Sequence, residues 1–327
     1  MNGHADIGAD RDGCFWKKLT AGIVADNYRL GVWLAVISAF GFSFKAILIK
    51  IAYALPQQVP VDAVTLLSLR MLIALPLFLL LYRSSGAGAP KLSSRDVAVI
   101  IILGAVGYYG ASLFDFFGLV YISAGLERVI LFTFPLLTLF FDAVFSGRKI
   151  RGYEWLAVLI CYAGIGLAFV HDMGASSVQK NVWLGGGFIF LSALCYAFYL
   201  SGGRHLIAKY GSSRFACLAL IVSTLATLVH FLLTHPLSNL IQPWQIYLLA
   251  LVMAAFSTVM PVLALAAAVR RIGSSPAALI SSLGPVLTIF FGWLLLDEAV
   301  SLLQMVGTLL VIGGIWLVSE KGRKAAG

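Results

Sequence analysis

FTFPLLTLFF (residues 132–141) and SLGPVLTIFF (residues 282–291) decide how this chain is built. Laid over one another at an offset of 150, they share Pro135/Pro285, Leu137/Leu287, Thr138/Thr288, Phe140/Phe290 and Phe141/Phe291. Two apolar segments resemble each other through hydrophobicity alone, but a proline paired inside similar decamers has no such origin. Working outward, the same offset aligns Ile122 to Phe169 with Ile272 to Ser319 without a gap, and AGIGL (163–167) falls on GGIWL (313–317). Upstream, an offset of 154 lays GVWLAVISAF (31–40) on GGGFIFLSAL (185–194), matching Ser38 with Ser192 and Ala39 with Ala193, and carries Lys50 onto Arg204. The chain is read as an internal duplication.

Of the 327 residues, 61% are hydrophobic and 11% charged, against about a quarter charged in a soluble domain. With a mean hydropathy of +0.96, this composition excludes a water-soluble globule and any large soluble domain. Apolar runs of bilayer length fall at roughly 30–50, 61–82, 97–119, 122–145, 153–170, 182–202, 214–234, 245–269, 275–296 and 302–319. All ten are expected to be helices, because a backbone in lipid must satisfy its own polar groups. Alternating strands of barrel type are absent from the sequence. The polar start, MNGHADIGADRDG, has no apolar core of the signal-peptide kind. Residues 1–29 are therefore read as a cytoplasmic tail, 30–170 and 182–319 as two five-helix repeats, and 320–327 as a second cytoplasmic tail. The four cysteines share no close spacing, so neither a disulfide framework nor a metal site is expected. No cofactor is expected either.

The basic residues orient the chain. With the N-terminus cytoplasmic, eighteen of the 23 Lys and Arg fall in the tails and in alternate loops, from Arg11 and Lys17 through Arg148, Lys149 and Arg151 to Arg270 and Arg271. This bias places both termini inside and accounts for the net charge of +9 without a nucleic-acid partner. A unit with an odd number of helices, duplicated in tandem, starts its second copy from the opposite side of the membrane. The expected fold is thus an all-α integral membrane protein of ten transmembrane helices in two inverted five-helix repeats, a recurrent design of secondary transporters.

SAGLERVILFTFPLLTLFF (123–141) and LLLDEAVSLLQMVGTLLVIGGIWLVSE (294–320), on a five-plus-five helix plan, resemble the EamA branch of the drug/metabolite transporter superfamily. The resemblance covers the chain from about residue 30 onward. It implies a multi-pass protein of the bacterial inner membrane that exports amino acids or related metabolites. The family usually carries a Gly-Glu pair between the last two helices of each repeat. Here the second repeat has Asp297-Glu298, and the first has Gly147-Arg148.

Pro135 and Pro285 fall near the middle of the fourth and ninth spans, where each is expected to kink its helix and free the carbonyl four residues earlier. Paired interruptions of this kind point to a central transporter site. Charges in the membrane each cost about 2.5–3.5 kcal/mol on insertion scales. The first repeat nevertheless holds Lys45, Arg70, Asp115, Glu127 and Arg128, whereas the counterparts of Lys45, Asp115 and Glu127 are Tyr199, Leu265 and Ala277. Tyr108, Ser112 and Asp115 share one face of the third span. The expected substrate-binding set is Lys45, Arg70, Tyr108, Ser112, Asp115, Glu127 and Tyr199, with Pro135 and Pro285 bounding the cavity. Structural salt bridges between the two cations, Lys45 and Arg70, and the two carboxylates are the competing reading. Glu127 and Arg128, about 100° apart on a helix, cannot both face one ligand. Three cations against two carboxylates favour an anion, and Arg offers a planar fork matched to a carboxylate.

The expected function is export of an amino acid or related carboxylate-bearing solute by alternating access. Import of a metabolite or nucleotide-like solute is the alternative, and a polytopic lipid enzyme is a weaker one, because His171-Asp172 has nothing to complete it. The chain is not expected to be an enzyme, and no GxxxxGK[ST] sequence makes ATP a direct energy source. The expected partners are a small-molecule substrate and the lipid bilayer, with a homodimer left open.

Overall fold

A computed structural model describes residues 9–56, 61–84, 90–146, 149, 151–175, 181–272, 277 and 280–326. Gly147 and Arg148 lie outside these residues. Every regular element among them is helical: α1 (Ala9–Ala54), α2 (Ala63–Ser84), α3 (Ser94–Gly118), α4 (Ala124–Leu131), α5 (Phe134–Ser146), α6 (Gly152–Ala175), α7 (Val182–Tyr210), α8 (Ser212–Thr234), α9 (Trp244–Ile272), α10 (Gly284–Leu296), α11 (Leu302–Ala326) and a short 3-10 turn, Leu237–Leu240. Eight stretches among these are long and apolar enough to cross a bilayer, and two shorter apolar helices follow at Gly284–Leu296 and Leu302–Leu317. Large side chains such as Trp33, Leu80, Leu159, Trp183, Leu233 and Leu309 face outward. An apolar outer surface on an apolar helix bundle is the mark of an integral membrane protein. α1 begins at Ala9, upstream of the boundary at residue 30, and its membrane-compatible part is Tyr28–Ala54.

The prolines interrupt their helices rather than kink them. The break between α4 and α5 is a two-residue turn at Phe132-Thr133, and its counterpart at Ser282-Leu283 precedes α10, at the same offset of 150. The turns are closed by short-range bonds, Thr133 N to Ile130 O (3.0 Å) and Leu283 N to Ile280 O (3.1 Å). Pro135 and Pro285 then stand second in α5 and α10, where a missing N–H is tolerated and the fixed φ favours a helix start. α3 and α9 are each widened by π-type turns, at Leu103–Tyr109 and Ala255–Val259, whose ends are again 150 residues apart.

The helices of the two halves pack across each other through contacts that come in matched pairs. Ser38 Oγ donates to Pro261 O (2.9 Å), and Ser192 Oγ donates to Ala111 O (2.7 Å); Ser38 and Ser192 are repeat counterparts, as are Pro261 and Ala111. In the α6–α11 pair, Gly164 lies against the backbone oxygen of Gly307, and Gly314 against that of Ala157. These two contacts also exchange under the 150-residue offset. Cys161 Sγ donates to the carbonyl of its own counterpart, Val311 (3.4 Å). Only small residues allow such close backbone approach.

Candidate substrate cavity

A cavity of about 580 Å³ lies between the helices of the two halves, within the size range of roughly 300–1,000 Å³ typical of small-molecule sites. α1 contributes Phe42 and Lys45, α2 Arg70, and α3 Tyr108, Ser112 and Asp115; the interrupted helix contributes Arg128, Phe132, Phe134 and Pro135. The second half adds Ser192, Tyr196, Ser257, Thr258, Ser281 and Gly284. Tyr108 and Thr258 are counterparts, and each lies in a π-type stretch, where a wide turn re-aims side chains that a regular α-helix would direct elsewhere. α1 is held against α10 by Ser43 Oγ, whose one proton is shared between Ala39 O of its own helix (2.6 Å) and Gly284 O of α10 (3.0 Å), and by Phe44 packed edge-on against Phe291 (4.8 Å between centroids).

Among the described residues, the charges at the cavity form one ion-pair network, and Arg70 stands outside it. Lys45 Nζ is 2.8 Å from Asp115 Oδ2 and 3.8 Å from Glu127 Oε1, while Arg128 Nε is 3.6 Å from Glu127 Oε2. Arg128 also donates from Nη2 to Phe42 O (2.5 Å). Two cations thus serve two carboxylates as ion pairs, while the Asp115 and Glu127 oxygens have no hydrogen-bond partner among the described residues. Arg70 is 4% exposed, and its Nε and Nη2 have no hydrogen-bond partner among the described residues. Its guanidinium lies over the Phe116 ring, 4.8 Å from the centroid, so its back is packed while part of its donor set is unused.

Six of the nine residues expected at the site line the cavity: Lys45, Arg70, Tyr108, Ser112, Asp115 and Pro135. Glu127 is fully buried behind Lys45. Pro285 is buried beside Gly284, which lines the wall in its place. Tyr199 is also buried, packed against Tyr108, Tyr196 and Phe215 at centroid distances of 5.5, 5.9 and 5.1 Å. Tyr196, one turn earlier, faces the cavity instead. At an offset of 154, Tyr196 is the counterpart of Phe42, also a lining residue, and that symmetry is the signal that would have found it. The salt-bridge reading holds for Lys45 and not for Arg70.

Outside the cavity, Glu298 joins the two halves. Its Oε1 accepts from Ala124 N (2.8 Å) and its Oε2 from Gly125 N (3.4 Å), at the first turn of α4. Ser123 Oγ caps the same turn by accepting from Leu126 N (3.0 Å). A carboxylate there satisfies orphan N–H groups and complements the helix dipole. Asp142, at the far end of α5, bonds Ser201 and lies 2.9 Å from Arg204.

A bundle of membrane-spanning helices packed half against half around a cavity with polar and charged lining is the architecture of a multi-pass membrane transporter. The model of the EamA-like transporter family matches residues 29–170 and 183–320, and the chain belongs to that family. It is 31% identical to the uncharacterized transporter YcbK of Bacillus subtilis, over 88% of this chain and 91% of that one. It is 24% identical to the pseudopaline exporter CntI of Pseudomonas aeruginosa, over 89% of this chain and 96% of the relative. A crystal structure at 18% identity, covering 91% of this chain and 99% of its own, shares the fold with a TM-score of 0.56.

Proposed function

We propose that the protein is a secondary transporter that exports a small carboxylate-bearing metabolite, the class to which amino acids and organic acids belong, by alternating access. The observation that carries this reading is Arg70, a buried guanidinium in the cavity wall whose Nε and Nη2 have no hydrogen-bond partner and which stands outside the Lys45–Asp115–Glu127–Arg128 ion pairs among the described residues. A buried charge without a partner is expensive, and an incoming carboxylate would supply the missing half with bidentate geometry.

The reading takes the ten apolar segments as ten spans in two inverted repeats, with both termini cytoplasmic, in the inner membrane. The exchanged pairs Ser38–Pro261 with Ser192–Ala111, and Gly164–Gly307 with Gly314–Ala157, support it, because reciprocal contacts are what a two-fold axis produces. In that orientation the lining reaches Val269, close to the cytoplasmic end of α9, and on α1 and α3 goes no further outward than Lys45 and Asp115. The ion-pair network and the Glu298 cap then lie on the periplasmic side of the cavity. The CntI relative, an exporter by its name, supports the direction.

Counterflow in proteoliposomes with labelled organic acids and amino acids tests the carrier: exchange stimulated by solute on the far side is expected, and uptake without such stimulation rules it out. Arg70→Gln is expected to weaken carboxylate binding by about tenfold or more, the scale of a charge-assisted hydrogen bond. A well-folded Arg70→Gln protein that transports like the wild type would remove the assignment. A periplasm-specific reagent that labels a cysteine placed at Gly147 would overturn the topology.

A further inference from the structure

We infer that the preferred solute is an anionic acid with an aromatic or apolar body and no free ammonium group, rather than a zwitterionic amino acid. The inference rests on the carrier reading above and narrows its substrate class.

Asp115 is the one acidic side chain among the described residues that line the cavity. Its carboxylate is 2% exposed and lies 2.8 Å from Lys45 Nζ. Glu127 is fully buried outside the lining, between Lys45 and Arg128. An α-ammonium group entering beside Arg70 would have only Asp115 Oδ1, which has no hydrogen-bond partner among the described residues, and would add a fourth cation beside the two carboxylates.

Charge balance leads to the same conclusion. Counted at formal charge, Lys45, Arg70 and Arg128 against Asp115 and Glu127 leave one positive charge in excess, at Arg70. A monoanion brings the loaded cavity to neutrality. A zwitterion adds no net charge and leaves the excess inside the membrane, where a net charge is costly.

The remaining wall describes the body of the solute. Phe132, Phe134, Tyr196 and Tyr108 form a continuous run of rings, with neighbouring centroids 6.1, 5.1 and 6.4 Å apart and near-perpendicular planes. Leu265 and Val269 continue the apolar surface in the second half. An edge-to-face aromatic wall favours a ring or a branched apolar group over a polar chain.

The test uses three molecules on one skeleton: 3-phenylpropionate, phenylalanine, which adds the ammonium, and phenethylamine, which lacks the carboxylate. Binding is read from ligand-induced thermal shifts of the full chain in detergent, and from counterflow of labelled 3-phenylpropionate in proteoliposomes. The acid is expected to bind at least about tenfold more tightly than phenylalanine, with no shift from the amine. Arg70→Gln is expected to abolish the acid's shift, and Arg70→Lys to retain part of it. Should Arg70→Gln fail to fold, the wild-type ratio of acid to phenylalanine decides. Phenylalanine binding as tightly as the acid overturns this inference and leaves the carboxylate carrier standing. Preferential binding of the amine overturns both. Absence of binding by all three overturns the aromatic-acid inference alone, since counterflow of other carboxylates tests the carrier independently.

Discussion

The two halves of this molecule share a backbone plan and differ in chemistry. Both interrupt a helix two residues before a paired proline, both widen a helix by π-type turns, and both donate a serine hydroxyl across the interface. Yet the membrane-embedded ion pairs around Lys45 and Arg128 draw only on the first half, and the second half lines the cavity with hydroxyls, a tyrosine and aliphatic groups. The contrast separates what the fold requires from what a solute requires. Breaks and close contacts recur because two halves must pack reciprocally, whereas one solute in one cavity is recognised by groups that need be present only once.

That contrast is most exposed at Lys45. Lys45→Met leaves Asp115 and Glu127 buried with one cation fewer, and breaking a buried pair typically costs about 3–5 kcal/mol. The expected outcome is loss of most folded protein or a large fall in thermal stability in detergent. Tyr199→Phe, at the counterpart position, removes one hydroxyl from a ring cluster and is expected to cost under about 1.5 kcal/mol. Equal melting of the two variants would show that the charge asymmetry carries little structural weight.

A second comparison lies within α6. A Cβ at Gly164 would meet the backbone of Gly307, while Gly166 has nothing within 4 Å. Gly164→Ala is therefore expected to destabilise by about 1–3 kcal/mol through overpacking, and Gly166→Ala to be neutral or stabilising by up to about 1 kcal/mol through helix propensity. If both variants gain stability in thermal unfolding, the α6–α11 contact is looser than described.

Glu298→Gln tests the link between the halves. It removes the charge from the first turn of α4 and is expected to cost about 0.5–2 kcal/mol, as lost caps do. A cysteine placed at Ala124 should then react faster with a thiol reagent. Unchanged reactivity would mean that Glu298 does not hold that turn closed.

The smallest effect is the most symmetric one. Ser38→Ala and Ser192→Ala each remove one hydrogen bond to a backbone carbonyl and are expected to cost about 1 kcal/mol apiece. A marked inequality between them in thermal unfolding would weaken the equivalence of the two crossings.

Several of these features are legible in the sequence. Paired prolines at 135 and 285 marked the two interruptions, and the embedded charges of the first half marked one wall of the cavity. The form of the interruption was not legible, because a proline near mid-span permits either a kink or a break. Which it becomes depends on how the surrounding helices pack, and here both breaks close as short turns, through Thr133 N to Ile130 O and Leu283 N to Ile280 O. Tyr196 is not legible in the sequence for a related reason. It lies about 60° around the helix from Tyr199, and an almost uniformly apolar helix carries no periodic signal fine enough to choose between the two.

The sequence by itself determined that this chain lives in a bilayer, that its spans are helical and that its halves are copies, because hydrocarbon length, backbone satisfaction and internal alignment are properties of the chain alone. Only the tertiary structure decided which charges neutralise one another. Lys45, Asp115 and Glu127 come from three different helices, and ångström-scale distances pair them while leaving Arg70 without an ion-pair partner among the described residues.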